Sequence, residues 1–393
     1  MSFTLKPTRL FTKISAILLA ALSLAACTSV PTPDSQAPLA LLDTLDLSDL
    51  GERPDIVSVE ELLTINDQEK ARFLAYFEAH QEVKRHHRIY DYLEGRLSTF
   101  SYYGKTYSAN ETLTHNAGNC MSLAILTKAY ARLVGIEIDY IEETSSPLFF
   151  QSAQLGVISN HVKTKLMDPS FEPKPGSFYF YEPGLVVDYF PSRNSLSKGN
   201  IDEAEFLAMY YQNLAADALE LTHYRRAAWL AIEGLTLAPE RVELVNLLAV
   251  IYRHLGSPKQ AEALYLHGLS LAADDLNLLT NYKLLLANQG RQDEAASLQR
   301  RIDQAQDPSP FRWLMLANDY YQGADYHTAL RYYTKAVELA PYMPQGYAGR
   351  AKTLYLLGKQ AEAKEAITLA IDKTHQVDLE RRYQAKLALL SSH

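Results

Sequence analysis

Apolar residues recur at three- and four-residue steps in several stretches, and each such stretch reads as a helix burying one face. Phe73, Tyr76 and Phe77, then Ile89, Tyr90 and Leu93, follow this spacing between residues 55 and 97. Ser58-x-x-Glu61 and Asn66-x-x-Glu69 fit the capping box, in which two side chains satisfy the orphan N–H groups of a helix start. Leu123, Leu126, Tyr130 and Leu133 predict a further helix over about residues 119–134. Asn119 suits its N-cap and Gly135 its stop. The period then shortens to two. Ile136, Ile138 and Tyr140 alternate with Glu137, Asp139 and Ile141, the pattern of a half-buried strand. Residues 157–166 read as another strand, and 178–181 with 185–189 as a hairpin across Pro183-Gly184.

Beyond residue 204 a longer period takes over. Ala227, Ala261, Ala295, Ala329 and Ala363 are each 34 residues apart. Twelve positions before each stand Ala215, Ala249, Lys283, Ala317 and Ala351, and sixteen before stand Tyr211, Val245, Leu279, Trp313 and Tyr347. Pro239 and Pro341 close two of the units, since a helix cannot continue through proline. Gly256, Gly290, Gly323 and Gly358 mark a turn within each unit. The third unit departs from the pattern at Lys283 and Gln299. This array resembles the tetratricopeptide family over residues 204–375, which implies five pairs of antiparallel helices in a solenoid. Residues 377–390 then predict the capping helix that a solenoid end requires. The resemblance implies protein or peptide binding by the concave face, where the first helix of each pair would present Asn246, Val250, Arg253, Asn277, Asn318, Tyr321, Lys352 and Tyr355.

The start of the chain reads as a targeting signal. Lys6, Arg9 and Lys13 precede an apolar stretch, residues 14–26, that is short for a membrane span. Leu24-Ala25-Ala26-Cys27 resembles the bacterial lipobox, which implies lipidation of Cys27 and removal of residues 1–26. Thr28, in place of Asp, implies sorting to the outer membrane, on the periplasmic side. Pro31, Pro33 and Pro38 then read as an extended tether. The expected division is signal 1–26, anchor and linker 27–54, an α+β domain 55–200 and the repeats 204–393. Leu39, Leu42, Leu45 and Leu50 either pack on the α+β domain or stay loose. The 393 residues include 47% hydrophobic and 21% charged, ordinary values for globular cores. The net charge of -8, which signal removal takes to -11, gives no basic face for nucleic acid.

Of two cysteines, the lipobox takes one. Cys120 is then a lone thiol in a compartment where disulfides form, either buried and inert or present for its reactivity. It stands in the first turn of the 119–134 helix, where the macrodipole favours thiolate. Asn160-His161-Val162 and Val187-Asp188 follow on predicted strands. Gly118-Asn119-Cys120, Asn160-His161-Val162 and Val187-Asp188 together resemble the transglutaminase-like superfamily, related to papain-like cysteine proteases, over residues 100–195. The resemblance implies an α+β core with that helix packed on an antiparallel sheet. It also implies that Cys120 attacks a carbonyl carbon, that His161 holds the thiolate as an ion pair and then protonates the leaving amine, and that Asp188 orients the imidazole. Two rivals stay open: His115 as the base and Asp168 as the orienting carboxylate. The Cys120 N–H would form half of an oxyanion hole, with Tyr107 and Asn119 as candidates for the other half.

His80, His86 and His87 lack the neighbours of a metal site. No nucleotide loop or redox Cys-x-x-Cys motif is present, so no cofactor or metal is expected. Two functions remain open. One is a cysteine enzyme acting on amides by hydrolysis or acyl transfer, and the other is an inactive scaffold serving with the repeats as an adaptor.

Overall fold

The computed structural model describes residues 42–43, 45–102, 104–144, 160–174, 182–189, 196–374 and 377–391. Leu45–His393 is one compact unit, distinct from Met1–Thr44. Cys27 and the strand expected at 178–181 lie outside the described residues.

Three helices open the α+β region: α1 (Val59–Leu62), α2 (Asp67–Ala79) and α3 (Arg85–Leu97). The Ser58–Glu61 capping box forms. The second expected box forms only by half. Asn66 accepts from the Glu69 N–H, but the Glu69 side chain turns inward and is 4% exposed. There it accepts from the hydroxyls of Tyr92 at 2.8 Å and Tyr130 at 2.7 Å, with Arg72 and Arg96 in ion-pair contact. A buried carboxylate needs such donors more than a helix start needs a second cap.

A short parallel ladder, β1 (Ser101–Tyr102) with β2 (Ala117–Gly118), brackets α4 (Ala109–His115). Next comes α5 (Cys120–Val134), in which Met121, Leu123, Ala124, Ile125, Ala129, Tyr130 and Ala131 are all buried, so it is a core helix rather than a one-faced one. Four antiparallel strands follow: β3 (Ile138–Thr144), β4 (Asn160–Met167), β5 (Gly184–Val187) and β6 (Leu196–Ile201), in the order β5-β4-β3-β6. Strand β5 stops at Val187, two residues short of expectation. Strand β6 was not expected, because Leu196-Ser197-Lys198-Gly199-Asn200-Ile201 has no alternation to read; its place at the sheet edge asks for none.

The repeats follow as five helix pairs: α6 (Glu203–Glu220) with α7 (Tyr224–Leu237), α8 (Val242–His254) with α9 (Pro258–Leu271), α10 (Leu276–Asn288) with α11 (Gln292–Gln304), α12 (Pro310–Gln322) with α13 (Tyr326–Leu339), and α14 (Pro344–Leu356) with α15 (Gln360–Asp372). The helix α16 (Val377–Ser391) caps them, its Tyr383 packed on Ala370 and its neighbours. All five periodic alanines are buried.

The turn glycines need one correction. Gly256, Gly290 and Gly358 have φ of 80°, 76° and 76°, but Gly323 is ordinary and the left-handed residue is Ala324, at 62°. Positions 256, 290, 324 and 358 keep the 34-residue register, and Thr222, at 60°, is its first member. The departures in the third pair answer each other. Lys283 Nζ donates to Gln299 Oε1 at 2.8 Å and to the Tyr320 hydroxyl at 2.6 Å, so a polar chain fills space that small and aromatic residues fill elsewhere.

The sheet and the repeats share a core. Tyr140 of β3 stacks on Phe206 of α6 at 4.0 Å, and Glu142 pairs with Arg241 at 3.0 Å and Lys198 at 2.9 Å. The segment before α1 runs along the repeats rather than on the α+β region. Leu50 is fully buried, Tyr252 donates to the Asp46 carbonyl at 3.2 Å and Tyr211 to that of Val57 at 2.8 Å. No helix among the described residues is long and apolar enough to cross a membrane.

Candidate active site

The turn into α5 is built by three residues. Gly118 has φ 154°, and a Cβ there would lie 2.7 Å from Ser122 Cβ, so only glycine fits. Asn119 and Ser122 cap each other in a capping box, and Ser122 Oγ also accepts from the Tyr107 N–H at 2.8 Å. The Asn119 amide donates to Thr106 Oγ1 at 2.8 Å and to the Gly104 carbonyl at 3.3 Å. Those contacts commit the Asn119 side chain to the loop and take it away from an oxyanion role.

This turn sets Cys120, 9% exposed and unpaired with any other cysteine, at the first position of α5. Burial pushes its thiol above the usual cysteine range, and the backbone N–H groups of Val162, Met121 and Cys120 itself oppose that rise without cancelling it. Here the thiolate expected from the macrodipole loses to desolvation. The contact with the Val162 amide places the sulfur beside β4, one residue from His161.

His161, 5% exposed, is the second residue of β4, and its Nε2 lies 3.0 Å from Oδ1 of Asp188, just past the end of β5. The other Asp188 oxygen lies 3.0 Å from Lys163 Nζ, which reaches Glu143 Oε1 at 2.7 Å. Burial works against the Lys163 charge, but the two carboxylates prevail and raise its pKa. Alternation along β4 places His161 and Lys163 on one face, and Glu143 stands directly opposite His161 in register. Val162, Thr164 and Leu166 take the other face, fully buried. The Tyr189 hydroxyl donates to Thr127 Oγ1 of α5 at 2.6 Å and lies 2.7 Å from Thr164 Oγ1, which locks the residue after Asp188 to the helix that carries Cys120.

The structure thus brings His161 and Asp188 into direct contact and sets the Cys120 sulfur against the next backbone amide. The rivals lie elsewhere. His115 is exposed and stacks on Tyr107 at 4.8 Å. Asp168 opens a turn by accepting from Ser170 N–H and Oγ and pairs with Lys84 at 2.9 Å, contacts that hold its carboxyl well below the usual range. Lys163, Glu143 and Tyr189 were missed from sequence. Lys163 alone carried a signal, two residues from His161 on a strand. No group of His, Cys, Asp and Glu among the described residues is arranged to hold a metal.

Residues 73–164 match the family model of the Transglutaminase-like superfamily, a span that contains Cys120 and His161 and ends before Asp188. Residues 73–164 are a transglutaminase-like core. The helix after this core's glycine turn is α5, and its strand β4 carries His161, whereas Asp188 lies just past β5 and beyond the matched span. Residues 242–275, covering α8 and α9, match the tetratricopeptide repeat. Solved structures similar to the chain include YrrB, a TPR protein with an unusual peptide-binding site, at 15% identity over 45% of this chain and 92% of that one, with a TM-score of 0.28. PilF of Pseudomonas aeruginosa is similar at 20% identity over 48% and 91%, with a TM-score of 0.31. MamA from Desulfovibrio magneticus RS-1 follows at 14% identity over 44% and 96%, with a TM-score of 0.28. No curated protein matches the sequence.

Of the groove residues expected in the repeats, Asn318, Tyr321 and Lys352 come together. Lys352 Nζ lies 3.2 Å from Asn318 Oδ1 and 3.9 Å from the centre of the Tyr321 ring. Asn246 accepts instead from Asn281 Nδ2 at 3.0 Å, and Tyr355 is 45% exposed. Arg253 keeps a buried nitrogen without a hydrogen-bond partner among the described residues. Nothing in the geometry gives Asn277 a role.

Proposed function

We propose that the transglutaminase-like core is a cysteine active site acting on an amide of a peptide or protein that the repeats hold. In this reading the Cys120 sulfur bonds to the carbonyl carbon, its proton passes to His161 and then to the leaving amine, and the C–N bond breaks to leave a thioester. Water or a primary amine then displaces the sulfur. Asp188 takes Nε2, so Nδ1 is the nitrogen that exchanges the proton. The Cys120 N–H supplies one oxyanion donor, and the second is unassigned. Because burial favours the protonated thiol, its proton leaves as the sulfur attacks. The observation that carries this reading is the 3.0 Å contact between His161 Nε2 and Asp188 Oδ1, beside a sulfur that accepts the Val162 N–H. By the lipobox resemblance, the enzyme is exported and anchored through Cys27 to the outer membrane.

The raised thiol favours a second reading, in which the core is a scaffold and the whole chain an adaptor. Iodoacetamide kinetics separate the two. For the enzyme, native Cys120 is alkylated near neutral pH at a rate that His161→Ala lowers about 100-fold, the scale of general-base assistance. A thiol that reacts only after denaturation selects the scaffold. For the enzyme, mass spectrometry with an activated ester should detect an acyl adduct on Cys120, and added amine that discharges it faster than water marks a transferase.

A further inference from the structure

One face of β4 carries three titratable side chains in alternation, His161, Lys163 and Lys165. Register with β3 sets what each meets: Glu143 stands opposite His161, Ile141 opposite Lys163 and Asp139 opposite Lys165. Lys165 takes the acid in front of it, and the pair is loose, 4.0 Å from an Asp139 side chain that is 44% exposed. Lys163 has an apolar residue in front of it and reaches to both sides instead, 2.7 Å to Glu143 Oε1 on the β3 side and 3.0 Å to Asp188 Oδ2 on the β5 side. Its side chain is 19% exposed and that of Glu143 10%, so the contact lies largely out of bulk water. Lys163 is the ion-pair partner of Glu143 among the described residues, and the other Glu143 oxygen, buried, has no hydrogen-bond partner there. Partly buried ion pairs of this kind add little stability over apolar residues of similar size.

The same lysine sets the orientation of Asp188. Strand β5 ends at Val187, so the ladder does not hold residue 188, whereas the next residue, Tyr189, is tied to Thr127 and Thr164. A carboxylate on a fixed backbone still turns about its Cβ–Cγ bond. With Oδ1 3.0 Å from His161 Nε2 and Oδ2 3.0 Å from Lys163 Nζ, it is gripped at both oxygens and cannot turn without losing both contacts. That grip keeps the ring proton on Nε2 and makes Nδ1 the nitrogen that exchanges protons. A lysine by itself would weaken the carboxylate's pull on an imidazolium by neutralising it. Glu143 restores the balance, because two carboxylates and one ammonium leave a net negative charge beside the ring.

We infer that Lys163 is a positioning residue for the imidazole: it clamps Asp188 so that the carboxylate stays on His161 Nε2, and Glu143 offsets the charge that the lysine brings. Lys163 acts through Asp188 and not on the sulfur. For its purpose the inference rests on the proposed cysteine chemistry, but the placing of the ring is measurable without it.

Heteronuclear NMR of the full-length protein with isotope-labelled histidine reads the ring directly, the His161 signals being those lost in His161→Gln. In the wild type the Nε2 proton should exchange slowly with water and mark a single tautomer. Lys163→Met should lose that slow proton and mix the tautomers, Lys163→Arg should retain it, and Lys165→Met on the same face should change nothing. Since Lys163→Met strands the Glu143 carboxylate, Lys163→Met combined with Glu143→Gln should show the same loss without that burden on folding. A wild-type ring that lacks the slow proton, or one unchanged in both Lys163→Met proteins, overturns the inference. Iodoacetamide kinetics add the coupling. Lys163→Met should slow native Cys120 alkylation about tenfold, the scale of one charged hydrogen bond. In an Asp188→Asn background it should slow it no further, because both substitutions act through one carboxylate; additive losses overturn the inference. A wild-type thiol that reacts only after denaturation overturns the cysteine enzyme instead, and the ring signal still decides the clamp.

Discussion

The sheet of the core and the repeats both bury charged side chains, but they satisfy them differently. On the sheet, Glu143, Lys163 and Asp188 alternate in charge, Asp188 also holds the His161 imidazole, and the Cys120 sulfur meets the backbone amide of the next residue, Val162. In the third repeat pair Lys283, Gln299 and Tyr320 bond to one another and close the network. In the last repeat and cap, half-buried Lys352 and the exposed Arg382 and Lys386 face a cavity lined by no carboxylate. A closed network spends its hydrogen bonds on the fold, and a cluster that leaves charge unanswered does not.

If that division is right, stability and thiol chemistry should respond to different substitutions. The largest effect belongs to Trp313, 1% exposed, its indole N–H on the Asp307 carbonyl at 2.9 Å. Trp313→Ala should cost about 3–5 kcal/mol in denaturant unfolding, while native Cys120 alkylation stays within twofold of wild type. A large change in alkylation would break the comparison.

Acid should act first where the sheet meets the repeats. Burial alone would raise the Glu243 carboxyl, but the charges of Arg241 and Lys198 outweigh it and hold the pKa at about 2, against 4.5 unfolded. A value lowered on folding gives stability that is full above pH 4.5 and lost as the pH falls towards 2. Glu243→Gln should therefore flatten the stability-against-pH curve over that window, removing at most about 3 kcal/mol of its fall. An unchanged slope would remove this ion pair from the account.

Gly118→Ala tests the site's turn alone. The added Cβ has no space beside Ser122, so a cost of about 2 kcal/mol is expected, with faster alkylation as the turn opens and loss of the His161 dependence. The smallest effect is a gain: Ala324→Gly relieves a left-handed alanine and should raise unfolding free energy by about 0.5–1 kcal/mol, without touching the thiol.

The repeats were legible because their contacts are near neighbours: each pair packs on the next, so the 34-residue period carries most of the geometry. Even the misplaced turn at Gly323 was off by one residue, and the period itself points to 324. The helix start at Cys120 was equally legible, since a cap, a first turn and a glycine stop are local. The site's surroundings were not. Glu143 meets Lys163 because β3 and β4 pair at one register, and no pattern near Glu143 encodes that pairing. Strand β6 escaped for a related reason, being held by pairing with β3 rather than by an apolar face of its own.

Sequence alone determined the periodic solenoid, the helix that begins at Cys120 and the order of Cys120, His161 and Asp188, because periodicity and capping are written in adjacent residues. Tertiary structure decided which carboxylate meets the imidazole, that the thiol is pushed towards its neutral form, and that three cations share a cavity without a counterion. Those outcomes depend on desolvation and on distances between strands and helices far apart in the chain, which no local pattern records.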